Sequence, residues 1–137
     1  MSDNTARSDE AISIWKKLLV TQEYGGLVLK IDDSNVEDGN VVVIDKKLMT
    51  DSYDELANSL PENDCRYALW TLTGTLSIFL IFWSPDSAPI KSRMKYSYEY
   101  QAVRNFYQHR FSIKANNPSD ISFDNLLSIA NIKRGGI

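Results

Sequence analysis

Between Ser8 and Val20 the apolar residues Ala11, Ile14, Trp15 and Leu18 fall three or four positions apart, which is the spacing of one helix face. Ser8 is a candidate N-cap, and Glu10, Lys16 and Lys17 fall on the outward side. Past Gly25-Gly26 the pattern changes: Leu27 to Ile31 reads as a strand, a polar turn covers Asp32 to Asn40, and Val41 to Ile44 reads as a second strand, so that the two predict a hairpin. A short helix is predicted over Ser52 to Leu60, stopped by Pro61. Arg66 to Thr71 is rich in strand formers, and the near-continuous apolar run Leu76 to Trp83 predicts a strand buried on both faces. Only Leu72 to Thr75 separates them, which calls for a tight turn near Gly74. Pro89 suits the first position of a long helix running to about Gln108, with a bend expected near Ser97. Phe111 to Ala115 reads as a last strand and Asn116 to Asp120 as a turn. Ser122 then caps a final helix through about Ile132, with Phe123, Leu126, Leu127 and Ala130 on its buried stripe. This order predicts an α/β fold of three layers, a mixed sheet between helices.

Size and charge narrow the classes. The 137 residues fit one domain, and no internal repeat or Gly/Ser-rich linker divides them. The first residues are polar and acidic rather than a basic start with an apolar run, and Leu76 to Trp83 is far short of the roughly 20 residues that span a bilayer. These features lead us to expect a protein of the cytoplasm or nucleus with no membrane insertion. The net charge of −3 is unevenly distributed: Met1 to Asp64 carries 6 basic and 14 acidic residues, whereas Cys65 to Ile137 carries 9 and 4. Such asymmetry fits either a surface polarised toward a charged partner or two separately solvated faces.

Catalytic chemistry finds little footing. The one cysteine, Cys65, excludes an intrachain disulfide, and no Cys/His cluster suggests a metal or cofactor. His109 is either a general base or a helix-end histidine. The pairs Asp32-Asp33 and Glu37-Asp38 lie in a turn and read as solvated charge. Arg93, Lys95, Arg104 and Arg110, interleaved with Tyr96, Tyr98 and Tyr100, are the residue types that hold single strands, but the pI of about 5.1 opposes nucleic acid as the partner. On the predicted long helix Lys91 and Lys95 share a face, with Arg93 off it and Met94 adjacent. Cations beside a flexible thioether suit an apolar cleft with an acidic rim; the alternative is an amphipathic helix whose methionine is core.

The text around that helix resembles a known family. Phe82-Trp83-Ser84-Pro85-Asp86-Ser87-Ala88-Pro89-Ile90-Lys91-Ser92-Arg93-Met94-Lys95-Tyr96 is similar to the actin-binding segment of the ADF/cofilin family, W-S-P-D-x-A-P followed by two basic residues, Met and Tyr-Ala-Ser-Ser. Ser52-Tyr53-Asp54-Glu55-Leu56 with Leu60-Pro61-Glu62-Asn63-Asp64-Cys65-Arg66-Tyr67-Ala68 resembles the helix and turn before the family's central hairpin. Asn117-Pro118-Ser119-Asp120-Ile121-Ser122-Phe123-Asp124 resembles the turn into its last helix. The resemblance implies a mixed sheet of about five strands flanked by helices. It also implies one domain over residues 1–137, with 1–7 a flexible arm, in a short, divergent member. By the same resemblance the chain is a monomeric actin-binding protein of the cytoskeleton that promotes filament disassembly and turnover, not an enzyme, with no cofactor. The actin contacts it implies are Lys91, Ser92, Arg93, Met94 and Lys95 on the long helix, and Ser2, Asp3, Asn4 and Thr5 in the arm.

The departures from the family text concern filaments. The hairpin tip Leu72-Thr73-Gly74-Thr75 is short and uncharged, and the last helix reads Leu126-Leu127-Ser128-Ile129-Ala130 where charges are usual. Thr73, Gly74, Lys133 and Arg134 are left as the candidate filament-side contacts, so binding to monomers is expected to exceed binding to filaments. Tyr98-Glu99-Tyr100-Gln101 replaces the family's Ser-Ser-Lys-Asp. The alternative expectation is an adaptor of the same fold, like glia maturation factor, that has left actin for the actin-related branching complex.

Overall fold

A computed structural model describes residues 9–21, 25–32, 41–50, 52–71 and 78–130. Its elements are α1 (Asp9–Thr21), β1 (Gly26–Asp32), β2 (Val41–Leu48), α2 (Tyr53–Ser59), β3 (Arg66–Thr71), β4 (Ile78–Trp83), α3 (Ile90–Phe106), β5 (Phe111–Ala115) and α4 (Phe123–Ile129). A short 3-10 helix, Pro118–Ile121, lies in the expected turn between β5 and α4. The strands form one mixed sheet in the order β2-β1-β3-β4-β5, antiparallel except for the parallel pair β4–β5. A parallel neighbour needs a crossover connection, and α3 supplies it.

Strand alternation divides the core between the two faces. Leu27, Leu29, Tyr67, Leu69, Leu80 and Phe82 meet Trp15 and Leu18 of α1 and Tyr96, Tyr100 and Val103 of α3. Val28, Ala68, Trp70, Phe79, Ile81 and Trp83 point the other way, with Leu56 of α2 and Leu126 of α4. The expected three-layer α/β architecture of five strands is therefore present. Phe79 to Trp83 are all buried, as the apolar run predicted for a strand with neighbours and helices on every side.

Several boundaries differ from the pattern's expectation. In α1 the structure buries Ile12 and leaves Ile14 half-buried, because the sheet lies under the Ala11–Trp15–Leu18 line and Ile12 adjoins it. β2 continues through Asp45-Lys46-Lys47 to Leu48, although this text is charged. It is an edge strand, so its outer residues face water. The register steps from Val28↔Lys46 to Leu29↔Ile44, which leaves Asp45 as the extra residue of a bulge. Pro89 is the N-cap rather than the first helical residue, and its carbonyl accepts from the Arg93 N–H at 3.0 Å. α3 is one uninterrupted helix through Ser97 and ends at Phe106, two residues early. Ser52 precedes α2 as its cap instead of starting it, with its hydroxyl accepting from the Asp54 and Glu55 N–H groups. Glu55 reaches back to the N–H groups of Met49 and Thr50, at 2.8 and 2.7 Å, and these bonds hold its carboxyl below the usual range. The cap at Ser8, residues 33–40 of the first expected turn, the expected turn Leu72 to Thr75, the predicted strand start Leu76-Ser77, and the last helix beyond Ala130 lie outside the described residues.

Candidate functional site

The segment from Trp83 to Tyr96 leaves the end of β4, turns, and begins α3. Each part of it is fastened to a neighbour. Trp83 Nε1 donates to the Pro61 carbonyl at 2.7 Å, and the Ser84 N–H donates to the Ala115 carbonyl at 2.8 Å. Ser87 Oγ donates to the Glu62 carbonyl at 2.7 Å, and Asn116 Nδ2 to the Ser84 carbonyl at 2.9 Å. The Ser84–Pro89 turn is therefore clamped between the turn after α2 and the end of β5. Within it the Ala88 N–H closes onto the Pro85 carbonyl at 3.0 Å.

The first two turns of α3 are tied down on one side and open on the other. Ser92 Oγ donates to Asp64 Oδ1 at 3.0 Å. Asp64 also accepts from the Cys65 N–H at 2.8 Å and from Arg66 Nη1 at 2.9 Å. Arg66 Nε in turn donates to Asp45, the bulge residue of β2, at 3.1 Å. A chain of charge-assisted bonds thus runs from the sheet edge to the helix. Burial disfavours the Asp64 carboxylate, but the bonds from Arg66, Cys65 and Ser92 outweigh it and hold its carboxyl below the usual range. The neighbouring Cys65 Sγ donates to Ser84 Oγ at 3.7 Å, and burial pushes its thiol up against the opposing effect of the nearby Ser84 and Ser92. Arg93 leans the other way: Nε donates to Ser84 Oγ at 3.4 Å and Nη2 lies 3.5 Å from Asp86 Oδ1.

What remains open is a ridge. Ile90 is 71% exposed, Met94 68% and Tyr98 82%. They stand four residues apart, on the side of α3 opposite its buried stripe of Tyr96, Glu99, Tyr100 and Val103. Exposed Lys91 and half-buried Lys95 flank the ridge. On its other flank an open groove of about 360 Å³ runs between Ile90, Arg93, Met94 and Ser97 of α3 and Lys114, Ala115 and Asn116 at the end of β5.

The structure thus sorts the expected contacts. Lys91 and Met94 are presented outward, Ser92 is turned inward as an anchor, and Arg93 and Lys95 stand at the edges. Met94 is exposed, which removes the reading of an amphipathic helix whose methionine is core. Ser2, Asp3, Asn4 and Thr5, the tip residues Thr73 and Gly74, and Lys133 and Arg134 lie outside the described residues. Sequence reasoning missed Ile90 and Tyr98 as exposed apolar positions, although their spacing from Met94 was legible. It also missed Asp64, whose part depends on a contact spanning 28 positions. His109 Nδ1 lies 2.8 Å from the Tyr107 carbonyl oxygen, an acceptor, so that nitrogen carries the proton. Among the described residues no group of His, Cys, Asp and Glu could hold a metal ion, and no helix is long and apolar enough to cross a membrane.

Residues 4–131 match the model of the family described as cofilin/tropomyosin-type actin-binding protein. The chain belongs to this cofilin/ADF family. Cofilin of Schizosaccharomyces pombe is 32% identical over 127 residues, covering 88% of this chain and 90% of its own. Actin-depolymerizing factor 3 of Zea mays is 33% identical over 129 residues, covering 88% and 91%. Among solved structures, the cofilin of Streptomyces griseoflavus superposes with a TM-score of 0.79 at 21% identity, covering 89% of this chain and 95% of that one. The segment that most resembles the cofilin/ADF text, Phe82 to Tyr96, is also the one whose end carries Ile90 and Met94 of the exposed ridge.

Proposed function

We propose that this chain binds actin through the N-terminal half of α3 and promotes the disassembly and turnover of actin filaments in the cytoplasm. Membership of the actin-binding cofilin/ADF family supports the activity. The observation that carries the site is the ridge itself, with Ile90 and Met94 exposed on a helix start that Ser92 ties to Asp64 and whose leading segment, Trp83 to Ser87, four further hydrogen bonds fasten to neighbouring segments. A pre-formed surface binds without the cost of ordering it. Lys91 and Arg93 meet an acidic rim, Met94 enters an apolar cleft, Lys95 adds charge at the flank, and Ser92 sets the helix through Asp64. The arm residues Ser2 to Thr5 complete the monomer contact. Filament contacts fall to Thr73, Gly74, Lys133 and Arg134. The protein works as a monomer and single domain, with no catalytic residue and no cofactor.

Titration of Lys91→Ala with Arg93→Ala against monomeric actin tests the reading. Removing central interface charges should cost about 2 kcal/mol or more, roughly thirtyfold in Kd. A folded double variant that binds like wild type removes the case for this helix. Filament co-sedimentation beside that titration tests the second part. Two or three missing charged contacts at about 1 kcal/mol each should lower filament affinity by one to two orders of magnitude, giving clear monomer binding with weak, non-cooperative filament decoration. Saturating decoration as tight as monomer binding contradicts it.

A further inference from the structure

We infer that Tyr98 is a third apolar contact with actin, extending the binding ridge one helical turn beyond Met94; this rests on the reading of α3 given above. Three tyrosines stand at alternate positions of the helix, and the structure treats them differently. The Tyr96 hydroxyl accepts from the Ile31 N–H at 2.9 Å. The Tyr100 ring packs against Phe82 with centroids 4.7 Å apart. Both are buried. Tyr98 is 82% exposed, the same state as Ile90 and Met94. A large aromatic displayed to water on a helix is a poor choice for solubility, and aromatic anchors are enriched at the centres of interfaces.

Geometry makes Tyr98 continuous with the proposed site. Positions 90, 94 and 98 advance about 40° per step round a helix and rise about 6 Å each, so the three side chains form one gently drifting line about 12 Å long. Lys91 and Lys95 border the same line and carry the charge expected opposite an acidic rim. The occupant that fits is therefore one continuous partner surface, apolar along its middle and acidic along one edge, and on the present reading that partner is actin. The family text has Ser where this chain has Tyr98, and a basic residue two places on where this chain has buried Tyr100. The chain has exchanged a charge at this turn for apolar area.

The test compares Tyr98→Ser, Tyr98→Phe and Lys91→Ala/Arg93→Ala with wild type, titrated against monomeric actin at low and at physiological salt. Tyr98→Ser should weaken binding about tenfold, as loss of an interface aromatic does. The loss should be equal at both salt concentrations, because no charge is removed. Tyr98→Phe should bind within about threefold of wild type, since the ring carries the contact. The lysine–arginine variant should lose more at low salt than at high. Folding is not at risk at so exposed a position, and circular dichroism checks it. If the charge variant weakens while Tyr98→Ser binds like wild type, this inference falls and the helix reading stands. If wild type does not bind actin, the helix reading falls and takes Tyr98 with it. A Tyr98→Ser loss that shrinks with salt also overturns the apolar contact.

Discussion

Tyr96→Phe is the substitution whose cost can be worked most directly from the structure. β1 pairs with β3 only from Gly26↔Trp70 to Leu29↔Tyr67, so the Ile31 N–H lies beyond the end of that ladder. The Tyr96 hydroxyl takes the place of the missing strand, accepting that N–H at 2.9 Å inside the core. Phenylalanine keeps the ring that packs at 5.2 Å from Tyr67 and deletes only the acceptor. The loss is a net hydrogen bond together with the desolvation of an orphaned buried N–H, about 2 kcal/mol in all. For 137 residues the unfolding entropy is roughly 0.29 kcal/mol/K, so the Tm should fall by about 7 °C. Tyr67→Phe is the natural comparison. The Tyr67 hydroxyl donates to the Tyr96 carbonyl, and a carbonyl that loses one of two donors suffers less than an N–H that loses its sole acceptor. That variant should cost about 1 kcal/mol. Urea and thermal unfolding of both variants, with hydrogen exchange at Ile31, give the comparison. If Tyr96→Phe is within about 0.5 kcal/mol of wild type, or if the order of the two is reversed, the account of how α3 is joined to β1 is wrong.

Two further outcomes follow from the packing and charge. At Gly26 a Cβ would stand 1.9 Å from the Leu69 backbone oxygen, so Gly26→Ala must push β1 away from β3; a loss of at least ~2 kcal/mol in urea unfolding is expected, and an unchanged midpoint would contradict the close approach. Asp64 has a lowered pKa, so its contribution to stability is present above the ordinary carboxylate range and is lost as pH falls through its folded value. The acid limb of the stability curve should therefore be shallower in Asp64→Asn, by a modest amount because this side chain is nearly half exposed, and identical limbs would remove the argument.

Element type and order were readable from hydrophobic pattern, run length, strand-forming composition and breakers together, because a short apolar run rich in strand formers and a helix with a three-four stripe leave different marks on a sequence. Phe79 to Trp83 and the Ala11–Trp15–Leu18 line are the clearest cases. Glycine and proline placed the breaks to within a few residues. The recognition segment was readable as text, since its residue types sit together in the chain.

Tertiary structure alone decided how those residues are used. Residues 91 to 95 are consecutive, but which side faces water depends on where the sheet lies beneath α3, and the helix's own pattern is ambiguous because Ile90, Met94 and Tyr98 are apolar yet exposed. Ser92 became an anchor because Asp64 comes within 3.0 Å of it, and Asp64 is held there by Arg66, which is held by Asp45. Asp45 reaches Arg66 from a bulge in a strand whose charged second half did not resemble a strand at all. The expected mixed sheet calls for a parallel pair, but that β4 and β5 form it follows from the crossover through α3 and not from composition. Local periodicity records what each segment buries. Which segments meet, and so which side chains are left to meet a partner, is set by contacts between residues far apart in the chain.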